Sequence, residues 1–420
     1  MKTWTEHTCF AALDWAKDHH NVIVVDSHGR LLADFRFDHT AGGWTEFAEK
    51  MAAFPQCPLA LETKSGPAVD QLLQRSFTLY PVNPKSAQRY RDRKLPSGTK
   101  TDRFDAWALA DALRTDGQAW RPLAPADPLL SQLRALCRDE IALVEQRTAL
   151  VNQLQQALSE YYPAALEAFD DWTQPYTWAF LRAFPTPEAL ARSSRRKQEN
   201  FLHAHSLWRA QTHERRLAVF ARADQFCGSP SVVAAKSLLA VSLVAILQTL
   251  QRQLNLYRQR IEQLFDSHPD HGLFDSLPGA GPKLAPRLLS ELGDDRSVFP
   301  DSDALQCDAG TAPASFQTGQ IHRTKLRHAC NDVLRATVHL WADLSRKRCP
   351  WAQTYYQVHR ANGQSHACAL RCLGKRWLKI LWKMWQTRSP YDPELHQRNQ
   401  LAHGSWVIQM LPPSPQPSPL

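Results

Sequence analysis

The chain contains no C-x-x-C pair, which removes the common zinc and dithiol motifs. Its nine cysteines are odd in number and scattered, a usage that fits reduced thiols in a cytoplasmic compartment. The nearest two, Cys368 and Cys372, lie one helical turn apart in a basic segment, without the second pair that a tetrahedral metal would need. The N-terminus, MKTWTEHTCF, has no apolar signal core. The longest apolar run, Ser237 to Leu247, is too short to span a bilayer. These absences lead to the expectation of a soluble cytoplasmic protein with no membrane partner. Acid is also in deficit. Asp and Glu number 41 against 50 Lys and Arg, a formal charge of +9, and that balance favours an acidic partner, nucleic acid first.

What is present fits a folded protein of two or three domains. The length is 420 residues, with 43% hydrophobic and 22% charged residues, ordinary values for a globular chain. Short β-branched or apolar runs at 9–14, 21–25 and 31–37, the last two joined by Ser27-His28-Gly29-Arg30, predict three strands with tight connections. A helix over 43–54, a buried strand at 58–62, a helix over 67–75 and a strand at 77–82 follow. Three early strands and then alternation indicate an α/β sheet.

The stretch Pro96 to Arg114, PSGTKTDRFDAWALADALR, organises this region. Its apolar spacing is helical. Asp102 and Asp105, three apart, share one face of the first turn and repel unless a cation lies between them. A hard divalent cation such as Mg2+ takes oxygen ligands. The competing reading is a helix cap: Asp102 as N-cap, Asp105 as a weak capping-box acid. Two more acids, Asp14 and Glu62, end apolar strands, and ligands of α/β sheets collect at the carboxyl ends of strands. Either the four carboxylates form one cluster suited to two-metal phosphoryl transfer, or Asp14 and Glu62 are solvated strand ends.

Residues 117–128 are Pro-rich and read as a linker between a domain at 1–116 and a helical region at 129–267. Two long helices are expected there, over 129–162 and 232–265. The second carries Leu243, Leu250, Tyr257 and Leu264 at one heptad position and Leu247, Leu254 and Ile261 at the other. The seam suits a coiled-coil hairpin, a dimerisation stalk or an intramolecular bundle core equally. Between the helices, SSRRK at 193–197 is a basic run that suits either a phosphate contact or a solvated helix end. A third region, 268–392, opens with LPGAGPKLAPRLLSEL. Its Gly-rich helix start resembles a helix-hairpin-helix loop, with Lys283 and Arg287 placed for a DNA phosphate. From His322 to Arg388 fourteen Lys or Arg stand against two acids, so Arg323, Lys325 and Arg327 join the candidate nucleic-acid contacts. Residues 393–420 form a tail with a disordered end, LPPSPQPSPL.

ALDWAKDHH with Asp14, ALETKSGP with Glu62 and TKTDRFDAWALADAL with Asp102 and Asp105 resemble the RuvC-like DEDD domain of bacterial transposases of the insertion sequence 110 family. LPGAGPKLAPRLLSELGD, CDAGTAPASFQTG, RHACNDVLRATVHLWA and YYQVHRANGQSHACALRCLGKRWLKIL resemble that family's second transposase domain, in the same order along 8–390. The resemblance implies an RNase H-like mixed sheet whose Asp14, Glu62, Asp102 and Asp105 bind Mg2+, coiled-coil helices, and a mostly helical C-terminal domain with a nucleophilic serine in a Ser-Gly dipeptide. Here that dipeptide is Thr318-Gly319, after Gly310-Thr311-Ala312-Pro313. Threonine keeps the hydroxyl, but its methyl group crowds the oxygen and restricts χ1. Ser315 is the alternative, and a turn hydroxyl bonded to its own backbone needs no chemistry at all. The resemblance further implies donor and target DNA as partners, a structured noncoding guide RNA, a dimer or tetramer with a composite site, and a bacterial cytoplasmic, nucleoid-associated location. The expected activity is DNA cutting and rejoining through a covalent hydroxyl–phosphate intermediate. A junction-resolving nuclease using metal-activated water and a non-catalytic nucleic-acid-binding coiled-coil protein are the alternatives.

Overall fold

The computed structural model describes residues 4–64, 66–95, 101–124 and 127–410. The chain divides into two compact units, Met1–Ala126 and Asp127–Leu420.

The first unit is built on β1 (Cys9–Trp15), β2 (His19–Asp26), β3 (Leu31–Asp38), α1 (Ala41–Met51), β4 (Leu59–Leu61), α2 (Pro67–Gln74), β5 (Leu79–Pro81), α3 (Pro84–Lys94) and α4 (Asp102–Asp116). The sheet order is β3-β2-β1-β4-β5. β1 to β3 are antiparallel neighbours, whereas β4 and β5 join in parallel. β1 and β2 are nearly continuous apolar runs because helices cover both faces of the sheet. On one face Trp44, Phe47, Val69 and Leu72 pack on Ala11, Leu13, Val22 and Leu59. On the other, Ala106, Leu109, Ala110 and Leu113 of α4 pack on Phe10, Ala12, Ile23, Val25 and Ala60. The small alanines bring α4 close to the sheet, and its position fixes where its acids stand.

The second unit begins with α5 (Pro128–Tyr161), whose N-cap Asp127 accepts from the amides of Leu129 and Leu130. Five short helices follow: α6 (Pro163–Ala168), α7 (Pro175–Ala183), α8 (Pro187–Ala191), α9 (Arg195–Ala204) and α10 (His213–Phe220). They pack an aromatic core of Phe169, Trp172, Trp178, Phe180, Phe184 and Phe220 at the far end of α5. The chain returns along α11 (Pro230–Asp266). Three cross-helix pairs, Glu160–Lys236 at 2.6 Å, Arg147–Gln251 at 2.8 Å and Glu140–Arg258 at 2.9 Å, show that α5 and α11 run antiparallel. Leu243, Leu247, Leu254, Ile261 and Leu264 are buried. The heptad seam is thus used within one chain, against α5. An 18-residue window of α11 is apolar enough, by length and composition, to cross a membrane, and 22% of it is buried. A helix packed in a protein core passes the same test, so this window does not overturn the expectation drawn from the longest unbroken apolar run. Leu238, Val241 and Ile246 remain exposed on α11.

The rest of the unit comprises α12 (His271–Asp275), α13 (Gly281–Leu292), α14 (Ser302–Asp308), a hairpin of β6 (Ala314–Thr318) and β7 (Ile321–Lys325), α15 (Asp332–Ser345), α16 (Pro350–Ala361), α17 (His366–Thr387), α18 (Pro393–Ala402) and α19 (Trp406–Gln409). Leu130, Leu133 and Cys137 of α5 share one core with Leu288, Trp341, Trp351, Trp377 and Trp385. Those tryptophans are thus packing residues. Gly279, at φ +81, approaches the backbone of Leu344 and Ser345 so closely that a Cβ would stand 2.7 Å from an amide nitrogen. A side chain there would push α15 away.

Candidate active site

Asp14 stands opposite Asn21 near the end of β1, and Glu62 follows the last residue of β4. Leu13 is in register with Leu61, so Asp14 and Glu62 terminate adjacent parallel strands at the same level. Strand alternation carries both toward the face of Ala12 and Ala60, which is the α4 face. α4 runs antiparallel to β1. The Nη1 of Arg114 donates to the Ser27 carbonyl at 3.3 Å, beside the turn that leaves Asp26 opposite Cys9. From Arg114 back to Asp102 is about 18 Å of helix, and from Cys9 to Asp14 is about 17 Å of strand. The first turn of α4 therefore lies at the end of the sheet where Asp14 and Glu62 stand.

The N-cap of α4 is Thr101, whose hydroxyl accepts from the Phe104 amide at 3.2 Å. Asp102 is thus the first helical residue and exposed, which removes the capping reading. Asp105 is buried and does not reach back to the cap. Its carboxylate accepts from Arg91 of α3 at 3.2 and 3.1 Å. Arg91 is the residue that sequence reasoning missed. The available signal was the basic run of α3, PKSAQRYRDRK, immediately before the acidic helix turn. One more buried acid, Asp111, is held by Lys94 at 2.6 Å and Arg114 at 2.7 Å, and both cations keep its carboxyl below the ordinary range against the opposing effect of burial.

The donor set is of the kind a hard cation takes, since all four side chains offer carboxylate oxygens. The arrangement is not a closed cage. Among the described residues no three His, Cys, Asp or Glu side chains converge on one ion position, and a guanidinium holds Asp105.

In the second unit Thr318 is the last residue of β6, paired with Ile321 across a two-residue turn. Gly319 takes φ +53 there, a conformation that glycine reaches without strain. Phe316 pairs with Arg323 and Ala314 with Lys325, so Thr318, Arg323 and Lys325 share one face of the hairpin. Ser315 pairs with Thr324 and faces the other way, so it cannot take the place of Thr318 without a register slip. The Thr318 hydroxyl makes no hydrogen bond among the described residues, and Lys325 lies over the Phe316 ring at 5.3 Å. The hairpin is exposed, but its foot is anchored. The Thr311 hydroxyl donates to the Gln306 carbonyl at 3.2 Å. Gly310, at φ +64, packs against Cys330 so tightly that a Cβ would lie 2.7 Å from its sulfur.

Two of the expected nucleic-acid contacts have partners within the fold. Arg287 is turned inward and bonded to Glu140, a buried acid that it shares with Arg258. Burial of Glu140 demands those two cations, and they hold its carboxyl below the usual range. Arg327 donates to the Ala312 carbonyl at 3.3 Å and so supports the loop before the hairpin. Lys283, Arg323 and Lys325 are exposed.

A transposase family model, of the DEDD type from IS110 elements, matches residues 11–163, and a second, described as a transposase of the IS116/IS110/IS902 family, matches residues 271–357. A mini-circle protein of Streptomyces coelicolor, described as a putative transposase for IS117, is 35% identical over 398 residues, 92% of this chain and 96% of that one. The chain belongs to the IS110 family of transposases. The insertion element IS116 protein of Streptomyces clavuligerus is 26% identical over 91% of this chain and 96% of its own. The insertion element IS900 protein of Mycobacterium paratuberculosis is 29% identical over 70% of this chain and 73% of its own. As a transposase of insertion sequences, the chain acts on DNA. Its four candidate acids fall in the first matched region, and Thr318 falls in the second.

Proposed function

We propose that this transposase cuts and rejoins DNA through a covalent Thr318–phosphate intermediate, within an RNase H-like DEDD enzyme guided by a structured noncoding RNA. The observation that carries the chemistry is the hairpin. An exposed, unbonded hydroxyl sits at its tip with Arg323 and Lys325 on the same face, where they would hold a phosphate. Thr318 Oγ1 gives up its proton and bonds to phosphorus. The bond to a bridging sugar oxygen breaks, and that oxygen leaves with a proton. Attack by a second strand end reverses the exchange and returns the hydroxyl to Thr318. Asp14, Glu62, Asp102 and Asp105 would hold Mg2+, which when bound supplies positive charge at the phosphate and leaving oxygen. Arg91 must then release Asp105.

The chain works as a dimer or tetramer, so that acids of one copy meet the hairpin of another. The a/d seam of α11 is already spent on α5. Association therefore uses the outward stripe of Leu238, Val241 and Ile246.

The test is to trap a protease-resistant protein–DNA adduct on element-end DNA. Thr318→Ser should keep the adduct and Thr318→Ala should abolish it. An adduct that survives in Thr318→Ala would place the nucleophile elsewhere, and cleavage without any adduct would favour hydrolysis by activated water. Sequencing RNA that co-purifies with the protein tests the guide.

A further inference from the structure

α17 carries Arg371, Lys375, Arg376, Lys379 and Lys383 and not one Asp or Glu along its 22 residues. Arg371, Lys375, Lys379 and Lys383 follow one another every fourth residue, a row that climbs about 6 Å per step and about 18 Å in all. The three lysines are exposed. The opposite side of the helix, with Leu373, Trp377, Leu381 and Trp385, is buried in the core, so the row cannot turn inward.

Several exposed cations elsewhere in this unit find acids. Arg192 pairs with Glu188 at 2.6 Å, Arg195 with Glu199 at 2.9 Å and Lys347 with Asp343 at 3.1 Å. Among the described residues the row on α17 makes no ion pair, although α14, with Asp303, packs beside it. Four like charges in line repel one another, and a surface selected only for solubility mixes signs. The row leads somewhere. Its first member, Arg371, lines a groove of about 450 Å3 together with Thr311, Leu326, Arg335 and His339. Leu326 is the residue directly after the hairpin that bears Thr318, and Thr311 lies just before it.

We infer that the Arg371–Lys375–Lys379–Lys383 row of α17 is a track for the phosphate backbone of duplex DNA, delivering the strand to the foot of the β6–β7 hairpin. About 18 Å corresponds to roughly five phosphates of one strand. The inference rests on the reading of Thr318 as the reacting group, which gives the track its destination, and duplex DNA is the substrate that the family acts on. Binding to backbone charge carries no sequence information, so the row supplies affinity and direction and leaves target choice to other parts of the complex.

The experiment is the salt dependence of binding of the full chain to a duplex DNA oligonucleotide. In Lys375→Gln/Lys379→Gln/Lys383→Gln the slope of log K against log salt should shrink by roughly two to three, about 0.9 for each phosphate that is no longer neutralised. The matched Lys→Arg triple should keep the slope. Arg192→Gln, at a cation already paired with Glu188, should leave it unchanged. An unchanged slope in a Gln triple that melts like the parent overturns the track. A slope that shrinks only with an RNA oligonucleotide of equal length overturns the assignment to DNA. The adduct assay separates this from the chemistry. A Gln triple with the parent slope beside a parent protein that forms the adduct sinks the track alone. A reduced slope beside a parent that forms none leaves the track and sinks the role of Thr318.

Discussion

The acidic end of the first unit and the hairpin of the second solve opposite problems. Asp105 is buried, fixed on a helix that packs on three strands, and already neutralised by Arg91. Thr318 is exposed, unbonded among the described residues, and carried on two strands with an anchored foot. A carboxylate taken out of water needs a positive partner at all times, so Asp105 is paired before any substrate arrives. A hydroxyl needs none and can wait in solvent until phosphate reaches it. The difference teaches that Asp105 is held by the fold, whereas the hydroxyl is merely presented by it.

This contrast can be broken. The largest effect is expected at Asp105: Asp105→Asn should remove DNA cleavage altogether while duplex binding persists, measured by strand scission and by mobility shift on the same samples. Cleavage at the parent rate would detach α4 from the chemistry.

A smaller effect sharpens the point about neutralisation. Arg91→Gln leaves a buried carboxylate without its cation and should cost about 1–3 kcal/mol of stability, read from urea unfolding. Thr318→Ala should change the same midpoint by less than about 0.5 kcal/mol, as a surface residue does. Equal shifts for the two would erase the distinction.

Acid should affect the first unit through His20. This ring is fully buried among Phe37 and Trp44 and bonded to His39 at 2.8 Å. Burial, and then the neighbouring His39 and His19, lower its pKa from 6.5 to about 4. The folded state therefore resists a proton that the unfolded chain accepts. The stabilisation is complete above pH 6.5 and declines as pH falls toward 4, by at most about 3 kcal/mol. Urea midpoints between about pH 7 and pH 4 should show this slope, and His20→Phe should reduce it.

The smallest change in stability belongs to the outward stripe of α11. Leu238→Glu should leave the melting temperature within about 2 °C and weaken self-association, read by light scattering. An unaltered oligomer would move the interface off this helix.

Much of this was legible in the residues. Apolar runs located β1, β2 and β4, the helical spacing after Thr101 located α4, and the heptad seam located α11. Lys325 and Arg323 were marked by charge. Arg287 misled, because a cation beside a glycine-rich turn reads the same whether it faces a phosphate or Glu140. The α11 seam was silent about its partner for a similar reason: a leucine stripe buries equally well against its own chain or another copy.

Sequence alone settled local periodicity and residue chemistry, since strand alternation, helix spacing and side-chain charge are properties of neighbours along the chain. It also settled the family, through motifs kept in order. Which strands adjoin, which acid meets Arg91 and which acid turns Arg287 inward depended on contacts between residues far apart in the chain. Those contacts are set by the joint burial of surfaces that no local window contains.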